Sequence, residues 1–143
     1  MLEPSLALQA AVRATLIGNS TVTALVPADR IRAGSTRPDV FPTVILAGSQ
    51  TQFLGRAAAG QFVARVFLDL NIWAVEDGPD TARAIGFAAL NALIEPPEAA
   101  AMMQGFEVDE WAAPRLLWMR DPQPEHAYSH GVMSLEAVIR WRA

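Results

Sequence analysis

The sequence predicts a mixed α and β chain folded as one domain over residues 1–143. Three stretches predict it. An Ala- and Leu-rich run near the N-terminus carries helix start and stop signals. A long period-two alternation from residue 62 leads through a sharp turn into a second helix. The last third reads as a run of strands. At 143 residues, with 52% of them hydrophobic, the chain is long enough for a core and too apolar for disorder.

In the first helix Pro4 suits the opening turn, where its missing N–H costs nothing, and "PSLALQAAVRATLIGN" stops at Gly18-Asn19. Ser20 is placed to cap a short turn, "TVTALV", that Pro27 ends. "DRIRAG" reads as a brief edge strand and "STRPDVFP" as a loop, with extended backbone before each proline. "TVILAGS" is β-branched and apolar, hence a strand. The stretch from Gln50 to Gln61 has two glycines and no clear period, so a long hairpin loop is expected there.

The strand that follows alternates cleanly. Phe62, Ala64, Val66, Leu68, Leu70 and Ile72 form one apolar face; Val63, Arg65, Phe67, Asp69, Asn71 and Trp73 form a mixed one. One face should pack on the core and the other meet water or another subunit. "EDGPD" is the turn, with Asp77 or Asp80 expected to accept from free helix N–H groups and Pro79 fixing the entry. In the helix over 80–94, Ile85, Ala89, Ala92 and Leu93 share a stripe, and the small Ala82, Gly86 and Ala89 allow close approach to a sheet. Pro96-Pro97 stop it. "GFEVDEWA" is a weak strand signal, and Pro114 implies an edge or bulge before "RLLWMR". After the loop "DPQPEHAY", Ser129, Gly131, Met133, Leu135, Ala137, Ile139 and Trp141 alternate with Val132, Ser134, Glu136, Val138, Arg140 and Arg142 in a final strand.

Composition narrows the chemistry. The net charge of -4 provides no basic field for nucleic acid. Cysteine is absent, which removes disulfides and thiolate metal sites. All 11 basic residues are arginine, which removes Schiff-base chemistry and the P-loop lysine together. "GRAAAG" is therefore no phosphate loop, and no serine sits in a G-x-S-x-G elbow. The longest uncharged apolar stretch, Ala84 to Ile94, is far short of the roughly 20 residues a membrane span needs. No targeting segment is visible, and a soluble protein made in the cytoplasm is expected.

The candidate sites mostly have bland readings. His126 and His130, four residues apart, lead from a loop into a strand, where that spacing spans about 13 Å and no single metal ion bridges it. Glu76, Asp77 and Asp80 belong to a turn and cap. Glu107, Asp109 and Glu110 solvate a strand face and lack the EF-hand spacing. Trp73, Trp111, Trp118 and Trp141 lie in strand-like segments, where packing in a core or subunit interface fits better than base stacking. No catalytic residue, cofactor or metal is expected. The stretch 50–61 stands apart: Phe53, Leu54 and Arg56 fall in a segment too long for a tight turn, and contact with a partner is the functional expectation.

The order of elements resembles the phage tail completion, or tail terminator, family, including members from gene-transfer-agent particles. "STVTALVPADRI" is similar to the family's opening turn leading to an Arg-Ile pair, and "FPTVILAGS" to its Phe-Pro strand ending in glycine. "ARVFLDLNIWAVEDGPDTARAIGFAALNALI" resembles its strand with an apolar-Trp pair, turn and Ala-rich helix. "LLWMRDPQPEHAYSHGVMSLEAVIRW" resembles its closing Arg-Asp loop, His-Gly pair and final strand. The two prolines of "DPQPEHAYSH" depart from the family's Gly-rich turn.

The resemblance implies a two-layer α+β fold, with a mixed, mostly antiparallel sheet and the N-terminal and central helices packed on one face. It implies a hexameric ring at the head-proximal end of a tail tube, partnered by the tube protein on one side and a head-tail connector or stopper protein on the other. DNA would pass through the lumen unread, and the particle would assemble in the bacterial cytoplasm with no membrane partner. Within such a ring Arg65, Asp69, Asn71 and Trp73 would face a neighbour or the lumen. Two rivals are another neck component (a head-closure or connector protein) and a small hydrolase built on His126 or His130 with Asp121.

Overall fold

The computed structural model describes residues 1–34, 37–76, 80–122 and 127–143, with backbone alone at 121 and 122. Helix α1 (Pro4–Ile17) begins where Glu3 accepts from the backbone N–H groups of Ser5 and Leu6. Helix α2 (Ser20–Thr23) follows one turn later. Its N-cap is Asn19, which accepts from Thr21 and Val22 N–H, and not the Ser20 that the sequence suggested. Asn19 sits in extended backbone while Ser20 has already entered the helix, so only the former can aim its oxygen at the free donors.

Six strands form one sheet: β1 (Ile31–Ala33), β2 (Thr43–Ala57), β3 (Gln61–Val75), β4 (Phe106–Trp111), β5 (Arg115–Pro122) and β6 (Ala127–Arg142). Their order is β1-β2-β3-β6-β4, with β5 also paired to β6. Only β1 runs parallel to its neighbour, so the sheet is mixed and mostly antiparallel. Strands β4 and β5 occupy successive lengths of the same side of β6, opposite 137–141 and 127–134, and the break between them falls at Pro114. Pro114 cannot donate to a ladder, which is why one strand becomes two.

Two further helices complete the second layer, α3 (Thr81–Leu93) and α4 (Glu98–Gln104). The core lies between the layers. Leu8, Val12 and Leu16 of α1 and Ile85, Ala89 and Leu93 of α3 meet Val66, Leu68, Leu70, Met133, Leu135 and Ile139, all buried. The α+β fold is thus two-layered, with α1 and α3 on one face of the sheet.

Three expectations need correction. The stretch 50–61 is not a loop: β2 and β3 continue as a hairpin to Ala57 and Gln61, and only Ala58–Gly60 turn. The period-two signal is hidden because the register shifts between Ala47 and Gln50 and again between Phe53 and Gly55. Helix α4 was not anticipated in the last third. The proline pair that stops α3 also starts α4, with Pro97 as its N-cap and left-handed Gly105 (φ 89°) as its stop. Asp80 holds the N-cap position of α3 without a side-chain cap bond, and Asp77 and Pro79 lie outside the described residues.

The small residues of α3 and β6 have a particular tenant. A Cβ on Gly86 would lie 2.6 Å from Trp118 Cη2, and one on Gly131 would lie 2.3 Å from Trp118 Cζ3. The Trp118 ring, facing the helices from β5, is therefore seated across two glycines. Gly131→Ala should overpack this seat and destabilise the fold by about 1–3 kcal/mol. Denaturant midpoints check this, and Trp118→Leu in the same chain should recover part of the loss. Unchanged stability in Gly131→Ala would contradict the packing.

Candidate interaction surface

The far end of the hairpin extends past the first turn of α1. Glu3 fastens that turn to the sheet, since Thr51 Oγ1 donates to its Oε1 at 2.5 Å while Ser5 and Leu6 donate to Oε2. Burial pushes the Glu3 carboxyl up, but the hydrogen bonds from Ser5, Thr51 and Leu6 outweigh it and hold its pKa below the usual value. Beyond this point the strands bring Arg56, Phe62, Trp141 and Phe106 into one cross-strand row over β2, β3, β6 and β4. All four lie on the helix side of the sheet.

Exposure rises along the row. Phe106 is buried, Phe62 and Trp141 are half-buried, and Arg56 is exposed. The rings of Phe62 and Trp141 are 6.0 Å apart, Phe53 lies 6.0 Å from Phe62, and the Arg56 guanidinium sits 5.1 Å from the Phe62 ring. Phe53 is 59% and Leu54 44% exposed, and Arg56 is exposed too, so none of the three lies in the core. At the other end of the row a groove of about 280 Å³ opens among Met102, Gly105, Phe106, Arg140 and Trp141. Met102 is exposed there, and Met1 lies against Gly105. Aromatic, Met and Arg side chains are the types that interfaces concentrate. No composition count locates this patch, because exposure depends on where α1 and α4 end.

The helix-free face of the sheet carries Arg65, Asp69, Asn71 and Trp73, as the alternation required, but divides them. Arg65 meets Glu136 at 3.5 Å and Glu110 at 3.9 Å. Beside it Arg140, which the sequence reading left without a role, is clamped by Asp109, Glu107 and Gln61 at 2.6–3.1 Å. Hydrogen bonding to Asp109 is the main cause that raises its pKa further. Asp69 lies beneath the first bulge, where a Cβ on Gly48 (φ 65°) would come 2.7 Å from its Oδ2.

Asn71 and Trp73 sit farther along and support His130. The imidazole stacks on Trp73 with centroids 3.8 Å apart, and its Nε2 is 3.0 Å from Asn71 Oδ1. Trp73 itself is buried, and its indole N–H has no hydrogen-bond partner. An amide oxygen is neutral, so Asn71 lends the ring none of the charge by which a carboxylate sustains a catalytic base. His126, and the side chain of Asp121, lie outside the described residues.

The acidic clusters are engaged elsewhere too: Glu76 pairs with Arg120 at 3.0 Å, and Glu107 and Asp109 hold Arg140. Among the described residues no group of three or more His, Asp or Glu is placed to bind a metal ion, and no helix is long and apolar enough to cross a membrane. Trp111 donates its indole N–H to Leu93 O at 2.9 Å and packs as expected.

A two-layer α+β unit with a half-buried aromatic row ending in exposed Arg56, and with arginine–carboxylate clamps, has the makings of an assembly part. The chain belongs to the family of tail completion protein gp17, whose model matches residues 10–140. Its role is accordingly structural, in completing the tail of a phage or phage-like particle together with other tail and head components. The fold is similar to that of a chain in the virion of a native gene transfer agent (GTA) particle. The TM-score is 0.67 at 17% identity, over 96% of this chain and 99% of that one. It is also similar to the gp17 protein of bacteriophage SPP1, with a TM-score of 0.54 at 20% identity over 94% and 89%. No curated protein matches.

Replacing Phe53, Leu54 and Arg56 together by Ser should leave a single cooperative melt, because all three are exposed and surface changes of this kind cost about 0.5 kcal/mol each. Thermal melts followed by circular dichroism test this. Loss of cooperativity would mean that the hairpin end is part of the core.

Proposed function

We propose that the chain forms a ring on the head-proximal end of the tail tube, ends tube growth there and offers its opposite side to the head connector. The observation that carries this reading is the exposed Phe53, Leu54 and Arg56 beside half-buried Phe62 and Trp141, at the hairpin end of a tail-completion family member. A tube built from identical rings presents the same polymerising face after each addition. Growth ends only when a different ring covers that face. Phe53, Leu54 and Arg56 are the residues we assign to the contact with tube or connector. Arg65 and Asp69, on the helix-free face with Asn71 and Trp73 beneath His130, belong to the side turned to a neighbour or the lumen.

The ring acts by binding alone, with no catalytic step. DNA passes through the lumen without being read, which suits a net charge of -4, since an acidic wall does not hold phosphate. Six copies is the closure we favour. The free chain is monomeric or weakly associated and closes on its template.

Particles made without this chain should contain filled heads that remain unjoined to tails. The tubes should be unattached and vary in length or overgrow. Electron microscopy of a deletion strain scores tail length, head filling and attachment. Tubes of normal length bearing a finished end-ring would instead assign the chain to the connector, and joined particles that fail at a later step would indicate an enzyme. Purified chain added to the mutant lysate should restore joining. The triple Ser variant should bind tubes at least tenfold more weakly. His126→Gln with His130→Gln should rescue as wild type does, and a folded, tube-binding double variant that fails would point to histidine chemistry.

A further inference from the structure

The two lateral edges of the sheet differ in charge. At one edge β1 ends the strand order. Arg13 and Arg30 lie against it and donate to the backbone carbonyls of Ile31 and Phe41; with Arg32 these guanidiniums outnumber the nearby carboxylates of Asp29 and Asp39, so positive charge is in excess. Arg32, on β1 itself, is exposed and forms no hydrogen bond or ion pair among the described residues. Around Arg30 and Arg32 a hollow of about 370 Å³ is bordered by Asp29, Asp39, Thr43 and Val40, the last 51% exposed.

At the other edge β4 ends the order. There Glu107, Asp109, Glu110 and Glu136 pair with the guanidiniums of Arg65 and Arg140, and Glu98 lies beside Glu107, so negative charge is in excess among the described residues. The Glu110 side chain is 72% exposed and approaches Arg65 no closer than 3.9 Å. Met102, 73% exposed, stands beside Glu98 and Glu107 over a second hollow of about 270 Å³. Charge on an edge strand is a common guard against unwanted pairing. That guard needs no difference in sign, and like-charged edges would serve it better by repelling copies of the chain.

We infer that the β1 edge of one copy docks on the β4 edge of the next, with Arg32 of one set against Glu110 of the other. The occupant is a second copy because the excess charges are complementary and each edge adds one exposed apolar side chain, Val40 or Met102. The edges lie at opposite ends of a five-strand order, about 19 Å apart across the strands at the usual spacing, with Arg32 level with Val132 of β6 and Glu110 level with Val138. The contact is therefore heterologous: it cannot close as a two-fold dimer, and it repeats head to tail until a ring closes. This inference rests on the ring reading above and names its joint. Complementary edge charge also speeds the correct encounter and weakens with salt.

Charge reversal tests it. Arg32→Glu alone and Glu110→Arg alone should each retain the wild-type melt, since neither residue holds a strong partner within its own chain. Each should weaken self-association at least tenfold, both by sedimentation of concentrated protein and by ring formation on tubes. The chain carrying both changes should associate again, to within about threefold of wild type. An equimolar mixture of the two single variants should also recover, because alternating copies place opposite charges at every joint of an even-numbered ring. If both single variants form rings on tubes as wild type does, the joint is elsewhere and the inference falls while the capping ring stands. If wild-type chain forms no ring on tubes, the ring reading and its joint fall together.

Discussion

The pairing of β3 with β6 governs the rest of the molecule. Gln61 to Val75 meets Arg142 to Tyr128 residue for residue, without a bulge. Because side chains alternate, a slip of one position would turn Leu68, Leu70, Met133 and Leu135 out of the core and bury Arg65, Asp69 and Glu136. The register is therefore strongly specified. It sets which face receives α1 and α3, where Trp118 finds Gly131, and which aromatic side chains stand in line at the hairpin end. It also brings Arg140 alongside Gln61 and between the carboxylates of β4.

The irregularities lie on the strands that flank this pair. Strand β2 is regular from Thr43 to Ala47, then bulges twice. Those bulges bend the strand and raise its local twist, while pairing continues out to Ala57 opposite Gln61. On the other side Pro114 splits the ladder into β4 and β5, and β4 bulges near Asp109. Neither edge is a long flat template for indiscriminate pairing. The surfaces available for specific contact are side-chain surfaces at the hairpin end and along the two edges.

Much of this was legible in the sequence where a periodic signal is strong. Strands β3 and β6, helices α1 and α3, the short β1 and the break at Pro114 all follow from alternation, small-residue stripes and proline chemistry. The outer half of β2 was not, because period-two reasoning fails across a bulge and Gly55 and Gly60 look like loop residues. Helix α4 was missed because seven Ala- and Met-rich residues behind two prolines give too short a window for a 3.6 period. At the candidate surface, Phe53, Leu54 and Arg56 were found as residues with no core duty. Phe62 and Trp141 beside them, and Met102 at the groove, were not, since the sequence carries no record of where the helical layer stops. The division of the mixed face was equally hidden: that Asn71 and Trp73 support His130, while Arg65 joins a charged group, depends on cross-strand partners far away in the chain.

The central claim is that the chain works through the placement of its surfaces at the neck of a tail. A reconstruction of the neck of intact particles by electron cryomicroscopy tests it most directly. The account predicts a closed ring of this chain between the last tube ring and the head connector, with the Phe53–Arg56 end of each hairpin touching one of those two partners. Density for this chain within the connector, or a ring whose hairpin ends face open solvent, would contradict it.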